Sequence, residues 1–474
     1  MGHFHFVCDI IIAPKQPISR MKSTPMRKKI RKQLPLVEPS IEHEHAFELR
    51  QIQLIIAEHL EIFDLIREDL IRGLDDPKTG RKGEMTGEQV FKVLLIKQMN
   101  EFSYRVLQYH LADSRTYRAF CGFGIGDDIP SHSTLQRDIK KIRPETLEMI
   151  NRLIIESAVD AGIERGRQVR VDCTVTESNI HHPTDSSLLW DCVRVLSRNT
   201  QAAKTAFGLE VSNHSRRAKK RAMGILNART KKVRKKHYRD LLKVAKKVVA
   251  DSERVRDTLL VIGMTDVDAV AIGNELSHFI PLAQRAIDQT ERRVIHGEKL
   301  KPAEKLVSIF EPHTDIIVKD RRDTYYGHKL ALTGGSSGMI TDLVIKEGNP
   351  ADATIAKEMI ERQIEIYGRP PLKVAYDGGF ASRENLSEIK GLGVKEVMFP
   401  RKCGLEITDM VKSTWVYKRL RNFRAGIEGM ISFLKRCFGL SRCLWRGLES
   451  FKAYAWSSVV TANLLLMSRR MREG

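Results

Sequence analysis

The chain has 474 residues, 42% of them apolar, with 80 Lys and Arg against 59 Asp and Glu for a formal charge of +21. That length holds roughly three domains, and that charge calls for a polyanionic partner, nucleic acid or an acidic membrane. No apolar run approaches the ~20 residues of a membrane span, which sets the membrane aside and leads us to expect a cytoplasmic protein. Seven cysteines without a CxxC pair argue against a zinc site or a disulfide framework.

Residues 1–40 carry five prolines and the cluster Arg27-Lys-Lys-Ile-Arg-Lys32, the composition of a flexible basic arm. Met21 and Met26 offer alternative starts within it. Residues 41–165 read as all helical. Leu49, Ile52, Ile56, Leu60, Phe63 and Ile66 recur at steps of three and four, which is helical spacing. After a Gly-rich turn and Pro130, Ser133 and Gln136 have capping-box spacing, so a helix starting there is expected. Its first turns offer Ser133, Thr134, Gln136 and Arg137, side chains suited to bases and phosphates. The pattern fits a helix-turn-helix-like DNA-binding domain and a plain helical bundle equally well.

At Gln168 the texture changes. Gln168-Val-Arg-Val-Asp172-Cys-Thr-Val-Thr176 alternates and is rich in β-formers, which predicts a strand; Asp172 would be costly there if buried unpaired. Residues 185–300 read as a basic helical insertion. From Gln201 to Asp257 there are 18 Lys or Arg and five acidic residues, concentrated at Arg216, Arg217, Lys219, Lys220 and Arg221 and at Lys231, Lys232, Arg234, Lys235 and Lys236. Such runs are often only solvated faces, but two in one insertion favour contact with a phosphate backbone.

From 311 onward β texture returns. His313–Val318 reads as a short extended lead-in. Tyr326–Leu332 and Ile340–Ile345 read as a hairpin across the turn Thr333–Gly338, followed by a helix over 353–366. Leu372–Tyr376 is a strand that delivers Asp377 to Gly378-Gly379, a typical site position at the carboxyl end of a strand. A helix (382–389), a last strand (394–399) and an amphipathic helix over Arg424–Lys435 follow, then an apolar helix over 448–471. At about 100° per residue, Arg424 and Lys435 return to the face of Glu428. A plain solvated charge stripe would look the same.

The order of strands and helices, with Asp172 on the first strand, Asp377 after a later one and Glu428 on a late helix, is that of a ribonuclease H-like fold. At these residues the chain resembles the DDE transposases of bacterial insertion sequences, the ISNCY group in particular. Arg424, Glu428 and Lys435 match the R-x3-E-x6-K part of the family's Y-x2-R-x3-E-x6-K signature; position 421, where the signature has Tyr, is Arg. Arg170-Val-Asp-Cys-Thr-Val, Ser308-Ile-Phe-Glu-Pro-His-Thr-Asp, Tyr326-Gly-His-Lys, Tyr376-Asp-Gly-Gly-Phe and Ser131-His-Ser-Thr-Leu-Gln-Arg add to the likeness, which covers roughly 45–470.

The resemblance implies an α/β fold: a ribonuclease H-like catalytic domain (166–184 and 301–474) with a mixed five-stranded sheet, the insertion at 185–300, and a DNA-binding domain at 41–165. It implies Asp172, Asp377 and Glu428 as catalytic residues and ligands of two Mg²⁺ ions, with Mn²⁺ as a substitute, Asp172 being the best candidate for the bridge. Arg424 and Lys435 would hold DNA phosphates. Such carboxylates suit hard cations, and a metal pair serves both the attacking and the leaving oxygen of a phosphodiester. The expected activity is cleavage at transposon ends and transfer of the 3′-hydroxyl into target DNA by a homodimer on paired ends at the nucleoid. The alternatives are a nuclease without strand transfer and a non-catalytic DNA-binding relic. His181-His182, His328, Trp190 and Trp445 are weaker candidates, and Asp315, Asp342 and above all Asp352 are rival carboxylates.

Overall fold

The structure, a computed structural model, describes residues 43–73, 85–124, 126–263, 266–319, 323–400 and 403–473. The Arg27–Lys32 cluster lies outside them. Helices α1 (Glu44–Ala57), α2 (Glu61–Ile71), α3 (Gly87–Met99), α4 (Tyr104–Asp113), α5 (Arg115–Phe120), α6 (His132–Ile139) and α7 (Pro144–Asp160) precede the first strand. The apolar periodicity that suggested one continuous helix from Leu49 to Ile66 is split between α1 and α2. His59 in the break bonds to Ser157 on α7 and to Glu61, and Leu60 turns out to solvent. Helix α6 also starts earlier than the spacing suggested. Its cap is Ser131, whose hydroxyl accepts from Thr134 N at 3.3 Å, so Ser133 is a helical residue and not the cap.

Strand β1 (Gln168–Glu177) leads into the helical insertion: α8 (Asp185–Phe207), α9 (Ser215–Leu226), α10 (Lys231–Ile262) and α11 (Val267–Thr290). These helices bury their own apolar core, including Leu196, Leu241, Val248 and Leu276. The chain then builds β2 (Asp315–Lys319), β3 (Asp323–Gly334), β4 (Ile340–Lys346), α12 (Ala356–Tyr367), β5 (Lys373–Tyr376), α13 (Arg383–Gly391), β6 (Glu396–Met398), α14 (Ile407–Met410), α15 (Thr414–Cys437) and α16 (Leu448–Glu473).

The sheet is mixed and runs β2-β3-β1-β5-β6, with β4 also paired to β3. It therefore has six strands, not five. The lead-in before the hairpin is a full strand, because β3 is 12 residues long and its first half pairs with β2 while its second half pairs with β4. Strands β1 and β3 are antiparallel; β1, β5 and β6 are parallel. One face carries Val169, Val171, Ala331 and Val374 against α12 and α13. The other carries Leu330 and Leu332 toward α15 and α16.

That second face shares one continuous core with the N-terminal helices. Leu49, Phe91, Leu107 and Ile154 belong to the same cluster as Leu332, Ile427 and Trp456. Helix α16 lies at the junction, packed on α1, α3, α7 and β4. Its Asn463 donates to Ile340 O at 2.7 Å and to Asn151 Oδ1 on α7 at 2.8 Å, and accepts from Ile340 N at 3.0 Å. The polar residue that interrupts the apolar run of the last helix is thus a fully bonded tie between three elements. Among the described residues no helix is long and apolar enough to cross a membrane.

Candidate active site

The parallel pairing of β1 with β5 sets Val171 opposite Tyr376. The next residue on each strand is a carboxylate, Asp172 and Asp377, so two acids far apart in sequence leave the sheet side by side. Helix α15 crosses both strands. It is capped by Ser413 and buries Val416, Leu420, Ile427, Met430 and Leu434. This apolar stripe fixes its rotation and brings Arg424 and Glu428 to the ends of the two strands.

The three carboxylates meet on one atom. Arg424 Nη2 lies 3.3 Å from Asp172 Oδ2, 3.0 Å from Asp377 Oδ1 and 3.2 Å from Glu428 Oε1. Asp172 is the most enclosed of the three, and Glu428 is open to solvent. Burial and the neighbouring Asp377 charge push the Asp172 carboxyl up to about 6, against the pull of the Cys173 N–H and Arg424. Among the described residues no three metal-ligating side chains are gathered tightly enough to hold an ion directly; the guanidinium stands between the carboxylates. The donor set nevertheless fits a hard divalent cation. It consists of three carboxylates on separate rigid elements, and their mutual repulsion already requires a positive charge at their centre.

Arg170, which the sequence did not single out, secures this geometry. It lies two residues before Asp172 and donates to Phe423 O at 2.9 Å and Gly335 O at 3.2 Å. Its guanidinium sits 4.5 Å from the centre of the Phe423 ring. It ties α15 to β1 immediately before Arg424. A Cβ at Gly426 would fall 1.9 Å from Arg170 Nη1, so the glycine two residues before Glu428 makes room for this tie. Only its place at the head of the family-like stretch Arg170-Val-Asp-Cys-Thr-Val could have marked it.

The other candidates sort by their partners. Asp352 belongs to the opposite face of the sheet. It accepts from Lys329 Nζ at 2.8 Å, and a Cβ at Gly379 would lie 2.4 Å from its Oδ2. The second glycine after Asp377 therefore accommodates Asp352. Asp342 is buried against Arg362, with 2.7 Å from Arg362 Nη2 to its Oδ1. Asp315 bonds to His328 at 3.1 Å. His328 is fully buried, 2.7 Å from His313, which in turn meets Glu311 at 2.8 Å; this chain lies under α16 against Phe451. His181 pairs with Asp191 at 3.5 Å, and His182 stands edge-on to Tyr326. Trp445 is core, and Trp190 packs on the insertion core.

Of the residues expected to touch DNA, Ser133, Gln136 and Arg137 are exposed on α6, while Leu135, Asp138 and Ile139 face inward. The Thr134 hydroxyl is taken up in the Ser131 cap at 3.1 Å. Lys435 lies half-buried on α15. In the insertion, Arg216, Lys219, Lys220, Lys231, Lys232 and Lys236 are exposed. Arg217 and Arg221 are both held by Asp240, Lys235 donates to Ile295 O at 2.9 Å, and Arg234 reaches Ala228 O at 3.4 Å. Four of the ten phosphate contacts predicted in the insertion are therefore engaged within the fold, and on α6 Arg137 pairs with Asp138 at 3.2 Å.

An acidic triad spread over two parallel strands and a crossing helix defines a class of α/β proteins whose site is built for a cation. Residues 38–141 match the family model described as Transposase domain (DUF772), and residues 310–464 match the one described as Transposase DDE domain. Both matches are to transposase domains, the second of the DDE type. The second match contains Asp377 and Glu428; Asp172 and the insertion fall between the two. The chain is 29% identical over 132 residues to a protein described as uncharacterized, ORF8 of the nfe locus in Rhizobium meliloti, covering 27% of this chain and 62% of that protein. The match thus spans less than two thirds of the relative. No solved structure matches the chain.

Proposed function

We propose that the chain cleaves DNA at the ends of its element and joins the freed 3′-hydroxyl to target DNA, with Asp172, Asp377 and Glu428 as the catalytic carboxylates of a ribonuclease H-like domain. One observation supports this above the rest: the three acids converge on Arg424 Nη2 within 3.0–3.3 Å. Bound Mg²⁺ or Mn²⁺, two ions at the complete site, supplies charge neutralisation and an activated oxygen nucleophile at neutral pH. Asp172, Asp377 and Glu428 would hold it, Asp172 from the deepest position.

Arg424 has two roles in this reading. Without DNA it neutralises the acids; with DNA bound it turns its planar fork to a phosphate oxygen, a geometry that suits a guanidinium. Lys435, eleven residues further along the same helix, adds a second phosphate contact. Arg170 and Phe423 hold α15 so that these groups keep their distances. No covalent bond between protein and DNA is required. The helical region at 41–165 binds the element's ends through α6 as a helix-turn-helix-like reader, using Ser133, Gln136 and Arg137. The exposed cations of the insertion hold further DNA. Two copies pair the two ends, at the nucleoid in the bacterial cytoplasm.

The test is cleavage and joining of a labelled duplex bearing the element's ends, with Mg²⁺, in wild type and Glu428→Ala. Joined product in wild type, lost in the variant while DNA binding persists, is expected. Cleavage without joining would make the chain a nuclease, and binding alone would make it a non-catalytic DNA-binding protein.

A further inference from the structure

The insertion at 185–300 lies outside both family matches, and its longest helix carries a stripe of one sign. On α10, Lys232, Lys236, Arg239, Lys243 and Lys247 follow one another at steps of four, three, four and four. At 100° per residue they fall within about 80° of one face and span about 22 Å of helix. All five are exposed, and among the described residues none has an ion-pair or hydrogen-bond partner. The opposite face buries Leu241, Leu242, Ala245, Val248 and Val249, so the helix cannot rotate this stripe away.

Two observations separate it from an ordinary solvated face. The insertion does supply acids, but it uses them on other cations. Asp240 holds Arg217 and Arg221, Asp251 holds Arg254, and Glu291 holds Lys246 at 2.7 Å. Secondly, α10 has no acidic residue in its first turn and opens with Lys231 and Lys232. Cations at a helix N-terminus oppose its dipole, typically by ~0.3–1 kcal/mol each. A polyanion outside the fold reverses that sign.

We infer that this face of α10 is a ridge that follows the phosphate backbone of double-stranded DNA without reading its sequence. A strand advances about 3.4 Å per base pair, so the ridge covers about six steps. Exposed Lys and Arg side chains in a row along one helix face suit phosphates, contacts that carry no sequence information. The ridge is on a different element from the carboxylates and from α6, and it gives the insertion the task of holding duplex. The inference rests on the reading of the chain as a DNA-handling protein.

The measurement is the salt dependence of binding of full-length protein to a duplex of arbitrary sequence. Wild type is compared with Lys236→Gln/Lys243→Gln/Lys247→Gln and with Lys301→Gln/Lys395→Gln/Lys412→Gln, which removes the same charge from exposed sites outside the insertion. Each lost phosphate contact lowers the slope of log affinity on log salt by about 0.9. The ridge variant is therefore expected to lose two to three units of slope and the control variant less than one. The three Lys→Arg changes on the ridge are expected to keep the wild-type slope, and thermal melts verify that all variants fold. Equal losses in ridge and control variants, or an unchanged slope in the ridge variant, would overturn the inference and leave the transposase reading intact. Wild type that binds no duplex at all would remove that reading as well.

Discussion

Replacing Asp172 by Asn is expected to make the metal-free protein more stable at neutral pH while abolishing its chemistry. The Asp172 carboxyl rises from its ordinary 3.8 to about 6, first through burial and then through the charge of Asp377. A carboxyl that is harder to ionise in the fold than in the unfolded chain weakens the fold wherever it is ionised. Below about pH 4 it is protonated in both states and costs nothing. Between pH 4 and 6 the unfolded chain releases the proton first, and the penalty grows; above 6 it is constant.

Two units at 1.36 kcal/mol per unit give a ceiling of about 3 kcal/mol. Loss of the Arg424 contact reduces the gain, so about 1–3 kcal/mol is expected at pH 7.5, about half of it at pH 5 and little at pH 4. The assay is denaturant unfolding of wild type and Asp172→Asn in EDTA at those three pH values. Excess Mg²⁺ should then narrow the difference at pH 7.5, because it stabilises wild type alone. A variant no more stable than wild type at pH 7.5, or a gain of equal size at pH 4, would refute the account of repelling carboxylates.

Gly426→Ala should destabilise, by about 1–3 kcal/mol, although alanine ordinarily improves a helix interior by about 1 kcal/mol. The new methyl displaces Arg170 from Phe423 O; a higher melting temperature would show that this tie is dispensable. Asn463→Leu should cost about 3 kcal/mol, since both Ile340 backbone groups lose their partner in the core, and chemical denaturation measures it. Arg362→Leu strands the buried Asp342 carboxylate, whose pKa burial already raises. About 3–5 kcal/mol should be lost at pH 7.5 and less at pH 5, where the carboxyl takes up a proton in place of its partner; a loss independent of pH would contradict this.

Much of the site was legible because each acid sits where a backbone pattern ends or repeats. Asp172 interrupts a run of β-formers, Asp377 precedes two glycines at the end of a strand, and Glu428 follows Arg424 by one helical turn. The convergence of the three was not legible from those patterns. It depends on the parallel register of Val171 with Tyr376 and on the rotation of α15 set by Ile427 and Met430. Rank among the carboxylates was hidden for a related reason. Asp352 was the chief rival to Asp377 in sequence, and the alternation of sheet faces gives one to Lys329 and the other to Arg424. Spacing misplaced the cap of α6 because Ser131 and Ser133 both precede acceptable helical residues. Charge runs overcounted the free cations because Asp240, remote from Arg217 and Arg221 in sequence, neutralises both.

The shared core has a bearing on how the chain comes off the ribosome. Helices α1, α3 and α7 are made early, yet the surface they pack against is α16. Ribosomes that stop before residue 448 release helices that lack α16, the element that packs on α1, α3 and α7 together. Such fragments would be open to proteases. A product that lacks α16 would therefore not persist, and this helix would help to set how much folded protein a cell retains.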